Sequence, residues 1–347
     1  MKFLVTGPVN YGYSLSVASA IEAAGHEVEF YPMCEFYVQA SYWQRKLYKL
    51  GCKSLRERYD YAWESGLLAQ AEVMRPDYVL VLNGMLLTKR LLDHLRVFCQ
   101  RLVLWLWDGL SRMDQKYMEE LFPYFSCIAV FEYNDLEKLA ACTGSAIYLP
   151  LGYDGDIYEN RLPKTSEERD IDIAFIGMPS RERLLTLDAV AVYAAARGWS
   201  LFVGGEWYDP RFWKRNRFRR KHPYLYPAIE NRLLSLQEAA SIYKRSRICL
   251  NIGVPEHHSI NPRAFELIAA GTLQIVKKGQ ETHGRLRMGE DLLEYQDIPH
   301  LLRLLDQFLR DEAARARMAA HGYRYNKERN SMRAVVDELL VAILHNV

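Results

Sequence analysis

The chain has 347 residues, too many for a single ordinary core, so two domains of about 150 residues each are expected. Half of the residues are hydrophobic and a quarter are charged, as in globular proteins generally. The 45 basic and 43 acidic side chains nearly cancel, which argues against a general nucleic-acid binder. Six scattered cysteines form no C-x-x-C pair, so the sequence offers no zinc pattern and favours reduced thiols in the cytoplasm.

The first third of the chain alternates apolar strands with helical stretches. This pattern indicates a parallel sheet, because parallel strands need crossover connections. The strands are expected at Lys2–Thr6, Glu27–Tyr31, Tyr78–Leu82, Leu102–Trp107, Ile128–Phe131 and Ala146–Leu149. The helices are expected at Ser14–Ala24, Ala40–Met74, Leu91–Phe98, Met113–Leu121 and Asp135–Ala141.

A second alternating unit begins at Ile171–Ile176, after a polar stretch, Gly152–Arg169, that is typical of a linker. Its further strands are expected at Ser200–Val203, Arg247–Ile252 and Thr272–Val276, and its helices at Arg181–Arg197, Leu236–Lys244 and Ala264–Ala270. We therefore predict an α/β fold with two tandem Rossmann-like domains, residues 1–155 and 156–330, and a cleft between them. Residues 331–347 are expected to form a C-terminal helix that could pack back on the first domain.

The loop G-P-V-N-Y-G-Y-S, Gly7–Ser14, follows the first strand. Its glycine spacing is that of a phosphate-binding P-loop, but Tyr13 occupies the position of the lysine in that motif. The two glycines also fail to match the G-x-G-x-x-G fingerprint of NAD-binding domains. The loop is either a plain strand-to-helix turn or a ligand-facing loop at the end of a strand, and we favour the second.

The most informative stretch is I-C-L-N-I-G-V-P-E-H-H-S-I-N-P-R-A-F-E-L-I-A-A-G, Ile248–Gly271. A strand and a polar loop lead to a helix that starts near Pro262, with Asn261 as its N-cap. A helix N-terminus attracts anions, and the planar guanidinium of Arg263 suits phosphate oxygens. Glu266, one turn further on, could accept hydrogen bonds from ribose hydroxyls. The stretch predicts a nucleoside-diphosphate site; the alternative is a capped helix whose arginine and glutamate form a surface pair.

The segment NPRAFELIAAGTLQIV within this stretch resembles the N-x-R-x-F-E-x-x-A-x-G segment of spore-maturation CgeB-like glycosyltransferases, which have the GT-B fold. RPDYVLVLNG, LVLWLWDGL, AIYLPLGYDGDIY and IDIAFIGMPSRERLL are similar to other segments of that family. The resemblance extends from about Pro76 to Ala270. It implies that the C-terminal domain binds a nucleotide sugar and that the N-terminal domain binds the acceptor.

The resemblance also implies roles for individual residues. The residues expected to bind the nucleotide sugar are Gly177, Arg181, Ser259, Asn261, Arg263 and Glu266, the last of them on the ribose. Since phosphate is then bound by the other domain, the loop after the first strand is expected on the acceptor side, with Gly7, Asn10, Tyr11 and Gly12.

Two residues are candidates for catalysis. Asp108 follows a predicted strand and could take the acceptor proton, although an aspartate in this position is often a helix cap. His258 could bind the leaving phosphate. Many retaining GT-B enzymes carry two glutamates eight positions apart, but counting back from Glu266 gives His258, so retention or inversion of the anomeric centre stays open.

No metal or cofactor is expected besides the donor substrate. The pair His257-His258 has no acidic or cysteine partner at ligand spacing. Asp170-Ile-Asp172 matches the D-x-D of other transferases but lies at the start of a strand, the wrong end for a ligand site. The basic-aromatic run Arg211–Lys221 is either a solvated insertion or a surface for anionic lipid or an acidic acceptor.

The sequence thus predicts a cytoplasmic, metal-independent glycosyltransferase, possibly working at the inner face of the membrane. It would move a sugar from a nucleoside-diphosphate donor to a glycan, lipid-linked or protein acceptor, with no nucleic-acid partner. The alternatives are a nucleotide-sugar epimerase or phosphorylase on the same fold, and a non-catalytic nucleotide-sugar-binding protein. The sugar, the base, the acceptor and the oligomeric state stay open.

Overall fold

The computed structural model describes residues 1–9, 12–33, 40–50, 52–140, 145–163, 168–253 and 258–345. The chain divides into two compact units. The first consists of residues 1–152 together with 332–347, and the second of residues 153–331.

The first unit contains a sheet of six parallel strands in the order β2-β1-β3-β4-β5-β6. These strands are β1 (Lys2–Pro8), β2 (Glu27–Met33), β3 (Tyr78–Leu82), β4 (Arg101–Leu106), β5 (Cys127–Val130) and β6 (Ala146–Tyr148). Its helices are α1 (Tyr13–Ala23), α2 (Tyr42–Lys49), α3 (Lys53–Met74), α4 (Lys89–Phe98), α5 (Gln115–Leu121) and α6 (Asp135–Ala140), with α14 (Met332–His345) from the end of the chain.

Helices cover both faces of this sheet, so its strands are buried on both sides, as parallel strands generally are. Alternate side chains of a strand point to opposite faces. Leu4 of β1 therefore packs against α3 and α4, whereas Phe3 and Val5 pack on the other face with α1 and α14. Helix α14 packs against α1 and contributes Leu339 to the core of the first unit.

The second unit has the same architecture, with six parallel strands in the order β12-β11-β10-β7-β8-β9. These strands are β7 (Ile171–Ile176), β8 (Leu201–Gly204), β9 (Ile229–Glu230), β10 (Ser246–Asn251), β11 (Leu273–Lys277) and β12 (Leu293–Tyr295). Its helices are α7 (Gly155–Tyr158), α8 (Arg181–Ala195), α9 (Phe212–Lys221), α10 (Leu236–Arg245), α11 (Arg263–Ala269), α12 (Ile298–Arg310) and α13 (Glu312–Asn330).

Each sheet has one point where the strand order reverses. In the second unit the chain moves from β7 outward to β8 and β9, and then returns to the other side of β7 as β10. The loops that follow β7 and β10 therefore diverge at their carboxyl ends, and ligands of such sheets bind in the crevice between loops of this kind. The corresponding point in the first unit lies between β1 and β3.

The prediction of two parallel α/β sheets is confirmed, but several elements differ from expectation. The predicted linker is folded in part, because Tyr153 and Tyr158 are buried in the core of the second unit. The helical stretch expected from Ala40 to Met74 holds two helices, α2 and α3, and Cys52 is the N-cap of the second. Helix α9 lies in the basic-aromatic run Arg211–Lys221 and the short strand β9 follows it; neither element was expected from the sequence.

Helix α14 allows a direct test of its contribution to the first unit. We expect Leu339→Ala to lower the free energy of unfolding by about 2–5 kcal/mol, because it leaves a cavity among fully buried side chains. Val341→Ala on the same helix is the matched control, since Val341 is exposed and its loss should change stability by no more than about 0.5 kcal/mol. Urea denaturation of both variants measures the difference. Equal stabilities would show that α14 is dispensable for this core.

Candidate functional site

The carboxyl end of β7 is closely packed around two glycines. The N–H of Gly177 donates to the carbonyl of Gly204 at 2.9 Å, which joins the ends of β7 and β8. Gly205 has a φ of +131°, and a Cβ atom there would lie 2.4 Å from the carbonyl oxygen of Gly177. A Cβ atom added at Gly177 would lie 3.1 Å from the Phe175 ring and 3.4 Å from Nη2 of Arg263. The Phe175 ring thus packs tightly against Gly177, and the Arg263 guanidinium lies beside the same backbone position.

Two guanidinium groups lie near the same aromatic ring at this point. The Arg183 and Arg263 guanidinium carbons are 5.6 and 5.7 Å from the centroid of the Phe175 ring. The electron-rich face of the ring attracts cations, which helps to hold both groups there. Neither arginine forms an ion pair with any carboxylate of the described residues. Two neighbouring cations without a carboxylate form a place that an anion would stabilise.

Arg183 connects the two loops that diverge at the reversal point. Its Nε donates to the carbonyl of Ile252, just after β10, and its Nη1 donates to the carbonyl of Met178, just after β7, both at 2.9 Å. The side chain is only 8% exposed. Burial, together with the nearby charge of Arg263, lowers the pKa of Arg183 to about 10. The guanidinium is still charged at neutral pH and is held in a fixed position.

Arg181, the arginine expected from the sequence, is instead exposed as the first residue of α8. The hydroxyl of Ser180 caps α8 by accepting from the N–H of Arg183 at 3.2 Å, so Arg183 occupies the third helical position. The sequence analysis missed Arg183. The signal that could have found it is the serine cap, which fixes where the helix starts and hence which arginine turns inward.

Helix α11 follows the second loop and differs from the prediction at its start. Pro262, not Asn261, occupies the N-cap position, and no side chain caps the helix. The N–H groups of Ala264 and Phe265 already donate to the carbonyls of Asn261 and Pro262. The predicted Asn261 cap is therefore wrong. The positive charge at this end of the helix comes mainly from the side chain of Arg263, rather than from free N–H groups.

The Asn261 side chain belongs to a cluster of amides under the start of α11. Asn261 Nδ2 donates to Asn251 Oδ1 at 2.9 Å, and Asn251 Nδ2 in turn lies 3.2 Å from Asn261 Oδ1 and 3.3 Å from Gln274 Oε1. Gln274 Nε2 donates to the carbonyl of Ala264 at 2.9 Å. Asn251 and Gln274 are fully buried. The cluster therefore ties the loop that carries Arg263 to the ends of β10 and β11.

Glu266 lies in the first turn of α11 and is only 5% exposed. It is close to the buried hydroxyl of Tyr243. Burial is the main cause that raises the pKa of Tyr243, the charge of Arg263 opposes the increase, and the charge of Glu266 adds to it. Glu266 and Arg263 therefore both lie near one tyrosine hydroxyl. This places the predicted ribose carboxylate and the predicted phosphate arginine in one cluster.

The remaining predicted residues of this loop are Ser259 and His258. Ser259 is fully buried and pairs with Glu281 in a parallel bridge. His258 is exposed, and its carbonyl accepts from the N–H of Glu281 at 2.7 Å. His257, the other member of the histidine pair, lies outside the described residues.

In the first unit, Asp108 follows β4 and is half-buried. Its Oδ1 lies 3.0 Å from Nη1 of Arg112, and it does not cap a helix. The turn after it is held by Asp135, a nearly fully buried residue whose Oδ2 accepts from the N–H of Leu110 at 2.8 Å. A Cβ atom at Gly109 would lie 3.7 Å from that of Glu132, another buried carboxylic acid. Asp135 and Glu132 were missed from the sequence, because their burial depends on the pairing of β4 with β5.

The predicted acceptor loop is described only in part. Gly7 belongs to β1, and a Cβ atom there would lie 2.7 Å from both Leu82 Cβ and Ser14 Oγ, so packing alone requires glycine. Gly12 has a φ of +68° and precedes α1. Asn10 and Tyr11 lie outside the described residues.

The possible metal motifs were also located. Asp170 and Asp172, at the amino end of β7, form ion pairs with Arg245 at 2.5 Å and with Arg247 at 2.7 Å. In the described part of the chain, no three His, Cys, Asp or Glu side chains are grouped so that they could hold a metal ion.

Part of the chain matches the model of a known protein family. Residues 182–341 match the family model described as glycosyl transferase-like. No protein with a curated description matches the chain at a significant level. The family model thus identifies a glycosyl transferase-like domain that includes most of the second unit and therefore Arg183, Arg263 and Glu266.

Solved structures resemble the whole chain. Sucrose-phosphate synthase from Thermosynechococcus elongatus is 14% identical with a TM-score of 0.66, and the match covers 99% of this chain and 98% of that one. An alpha-glucosyltransferase in complex with UDP-glucose and DNA containing an abasic site is 13% identical with a TM-score of 0.69 over 99% and 98% of the chains. Anabaena HepE in complex with UDP and glucose is 11% identical with a TM-score of 0.63 over 99% and 100%.

These likenesses confirm the predicted GT-B fold. The family model, over residues 182–341, supports the predicted class of enzyme, a glycosyltransferase.

The amide cluster gives a test of how the loop that carries Arg263 is held. We expect Gln274→Ala to lower the free energy of unfolding by about 2–3 kcal/mol, because the buried carbonyl of Ala264 and the amide of Asn251 lose a partner. Gln237→Ala is the matched control on the exposed side of α10, with an expected change within about 0.5 kcal/mol. Thermal and urea unfolding report both values. If Gln274→Ala leaves the free energy of unfolding unchanged, the hydrogen bond from Gln274 on β11 to Ala264 on α11 does not hold the loop as proposed.

Proposed function

We propose that the protein transfers a sugar from a nucleoside-diphosphate sugar to an acceptor and binds the donor diphosphate at Arg183 and Arg263. The observation that carries the proposal is the pair of guanidinium groups beside the Phe175 ring, with no carboxylate of the described residues paired to either. A diphosphate supplies the negative charge that this pair lacks. Because the pair lies at the reversal point of the second sheet, it also lies where doubly wound sheets bind ligands.

The chemistry needs positive charge at the leaving group. When the bond between the sugar carbon and the β-phosphate oxygen breaks, negative charge grows on the nucleoside diphosphate. Fixed guanidinium groups stabilise that charge, and they do so most strongly when they are already in position before the reaction. The backbone carbonyls of Ile252 and Met178 hold Arg183 in this way. The proposed reaction therefore uses side chains in place of a metal ion at the leaving group.

The other residues of the second unit have supporting roles in the proposal. Gly177 lets the diphosphate approach the strand end, Asn261 fixes the loop through the amide cluster, and Glu266 accepts hydrogen bonds from the ribose. His258 and Ser259 lie in the loop just before Arg263, where they could contact the same phosphates. UDP is the first nucleotide to test, because two of the solved structures above contain UDP or UDP-glucose.

Asp108 of the first unit is proposed as the general base. In the reaction, an acceptor hydroxyl forms the new bond to the sugar carbon, and its proton passes to the carboxylate. Arg112 lies 3.0 Å from one carboxylate oxygen, and the side chain is half-buried after β4. The nature of the acceptor, whether glycan, lipid-linked or protein, is not specified by these residues.

The finer family assignment is part of the proposal as well. We propose that the chain is one of the CgeB-like transferases, on the strength of the segment NPRAFELIAAGTLQIV. Its arginine, Arg263, and its glutamate, Glu266, lie in one cluster with Tyr243, as a donor site would require. A nucleotide-sugar epimerase or phosphorylase, or a binding protein without catalysis, is not favoured by the family model.

The donor site is tested by nucleotide affinity. We expect Arg263→Gln and Arg183→Gln each to weaken UDP binding about 10–100-fold, because each removes charged hydrogen bonds to phosphate, which contribute about 1.5–3 kcal/mol each. Isothermal titration gives the affinity, and the rise in melting temperature with UDP gives an independent measure. Arg183→Lys keeps the charge but loses the planar fork that donates to the carbonyls of Ile252 and Met178, so we expect it to weaken UDP binding as well.

Two further variants sharpen that test. Arg303→Gln removes an exposed arginine of α12 and should leave UDP affinity unchanged. Arg181→Gln distinguishes the two candidate arginines of α8: the exposed position of Arg181 predicts a loss below about threefold. If no nucleoside diphosphate or nucleotide sugar raises the melting temperature, the proposed donor site is wrong.

The general base is tested separately. We expect Asp108→Asn to slow the release of nucleoside diphosphate from the donor by about 10²–10⁴-fold while leaving UDP affinity unchanged, because only proton transfer is lost. Asp337→Asn, an exposed aspartate of α14, is the matched control. Turnover that is equally fast in Asp108→Asn and in the unmodified protein would remove Asp108 from the mechanism.

A further inference from the structure

Helix α9 (Phe212–Lys221) carries six basic side chains in ten residues and no acidic one. It lies between β8 and β9, within the insertion that the proposed sugar transfer does not use. Like charges three and four positions apart on a helix repel each other, so its cations weaken the helix unless an anionic partner is present. The sequence of the helix is therefore unusual for a segment whose only role is to be solvated.

One side of α9 fixes the helix to the second unit. The Phe218 ring packs 5.2 Å from that of Tyr208 and 4.7 Å from that of His222. His222 is buried, and its Nδ1 lies 3.1 Å from Oδ1 of Asp188 on α8. Next to Tyr208, Trp207 packs edge-on against the Phe175 ring at 6.0 Å. These contacts connect α9, through Tyr208 and Trp207, to the Phe175 ring, near which the guanidinium groups of the two site arginines lie.

The opposite side of α9 is exposed and has a regular arrangement. Trp213, Arg217, Arg220 and Lys221 recur at the spacing of one helix face, and they line a shallow, open depression with Phe212 and Asn216. Phe212 and Trp213 are each 67% exposed, which is unusual for two large neighbouring aromatic side chains. Tyr224, just beyond the helix, is exposed as well. Aromatic side chains therefore lie at both ends of a row of cations.

The cations of this face have no acidic partner in the described part of the chain. Lys214 pairs with Asp209 at 3.1 Å, and the Arg219 guanidinium lies 5.8 Å from the centroid of the Tyr226 ring. Arg217, Arg220 and Lys221 form no ion pair with a described carboxylate. These three charges are available to an external anion.

We propose that the exposed face of α9, defined by Phe212, Trp213, Arg217, Arg220 and Lys221, docks the protein on a membrane surface that contains anionic lipid. Lysine and arginine side chains bind the headgroups of such a surface, while the aromatic rings enter the interface beside them. Aromatic side chains lie at both ends of the helix and the cations lie between them. A helix of this kind can lie parallel to a membrane surface and contact it along its whole length. None of the helices in the described ranges is long and apolar enough to cross a bilayer, so attachment would be peripheral.

Nucleic acid is the competing partner, since basic grooves with aromatic rings also bind single strands. The total charge of the chain is only +2, and the cationic face is limited to one helix of ten residues. A protein that tracks a nucleic-acid backbone usually presents a longer basic stripe. The observations therefore favour the membrane surface, and duplex and single-stranded DNA serve as alternatives in the test.

The test is co-sedimentation of the full chain with phosphatidylcholine vesicles, with and without phosphatidylglycerol. We expect binding only to the vesicles with phosphatidylglycerol, and we expect added salt to weaken it. A variant with Arg217→Gln, Arg220→Gln and Lys221→Gln should bind about 100-fold more weakly, at roughly fivefold for each cation removed. Trp213→Ala should bind about tenfold more weakly, because its ring no longer enters the interface.

The matched control removes the same charge elsewhere in the second unit. Arg303→Gln, Arg317→Gln and Arg324→Gln together change three exposed arginines of α12 and α13 and should leave vesicle binding unchanged. The melting temperature and its increase with UDP, measured on each variant, show that the fold and the donor site are intact. The proposal is overturned by equal binding to both kinds of vesicle, or by full binding of the α9 variant. Binding to DNA in place of vesicles overturns it too.

Discussion

The site depends on one electrostatic constraint, the closeness of two positive guanidinium groups at the end of a buried strand. The charge of Arg263 disfavours the charged form of Arg183 and, after burial, contributes to its lowered pKa. The Phe175 ring and the carbonyls of Ile252 and Met178 offset part of this repulsion, since they hold Arg183 in place. A bound anion would offset the rest. If the proposed diphosphate binds here, part of its affinity would come from offsetting this repulsion.

Topology explains why these residues meet. Arg183 follows β7, and Arg263 comes some 80 residues later, after β10. The two strands are neighbours because the chain reverses direction across the sheet between them. The amide cluster of Asn251, Asn261 and Gln274 then fixes the second loop against the strands. A rigid loop is needed, because a guanidinium that moved freely would lose much of its effect on a developing charge.

The strands of both sheets could be predicted from the sequence, because a buried parallel strand is a short run of apolar residues bounded by polar ones. The sequence also predicted the strand and the helix of the segment that carries Arg263 and Glu266, and the binding roles of these two residues stay predictions. It failed where the answer depends on distant partners. Asn261 has the local features of a helix cap, but its amide binds Asn251, ten residues away in the chain. Arg183 is buried where its guanidinium donates to the carbonyls of Met178 and Ile252, and Ile252 lies 69 residues further along the chain.

Burial also separates the two groups of arginines in the second unit. Arg183 is immobilised by backbone carbonyls, so it can bind one anion in one geometry. Arg217 and Arg220 of α9 are exposed on flexible side chains, so they suit many anions spread over a surface. Trp207 and Tyr208 connect the two regions, because the first packs on Phe175 and the second on Phe218 of α9. An acceptor held at an anionic surface would then meet a donor whose position relative to that surface is set by the fold of one unit.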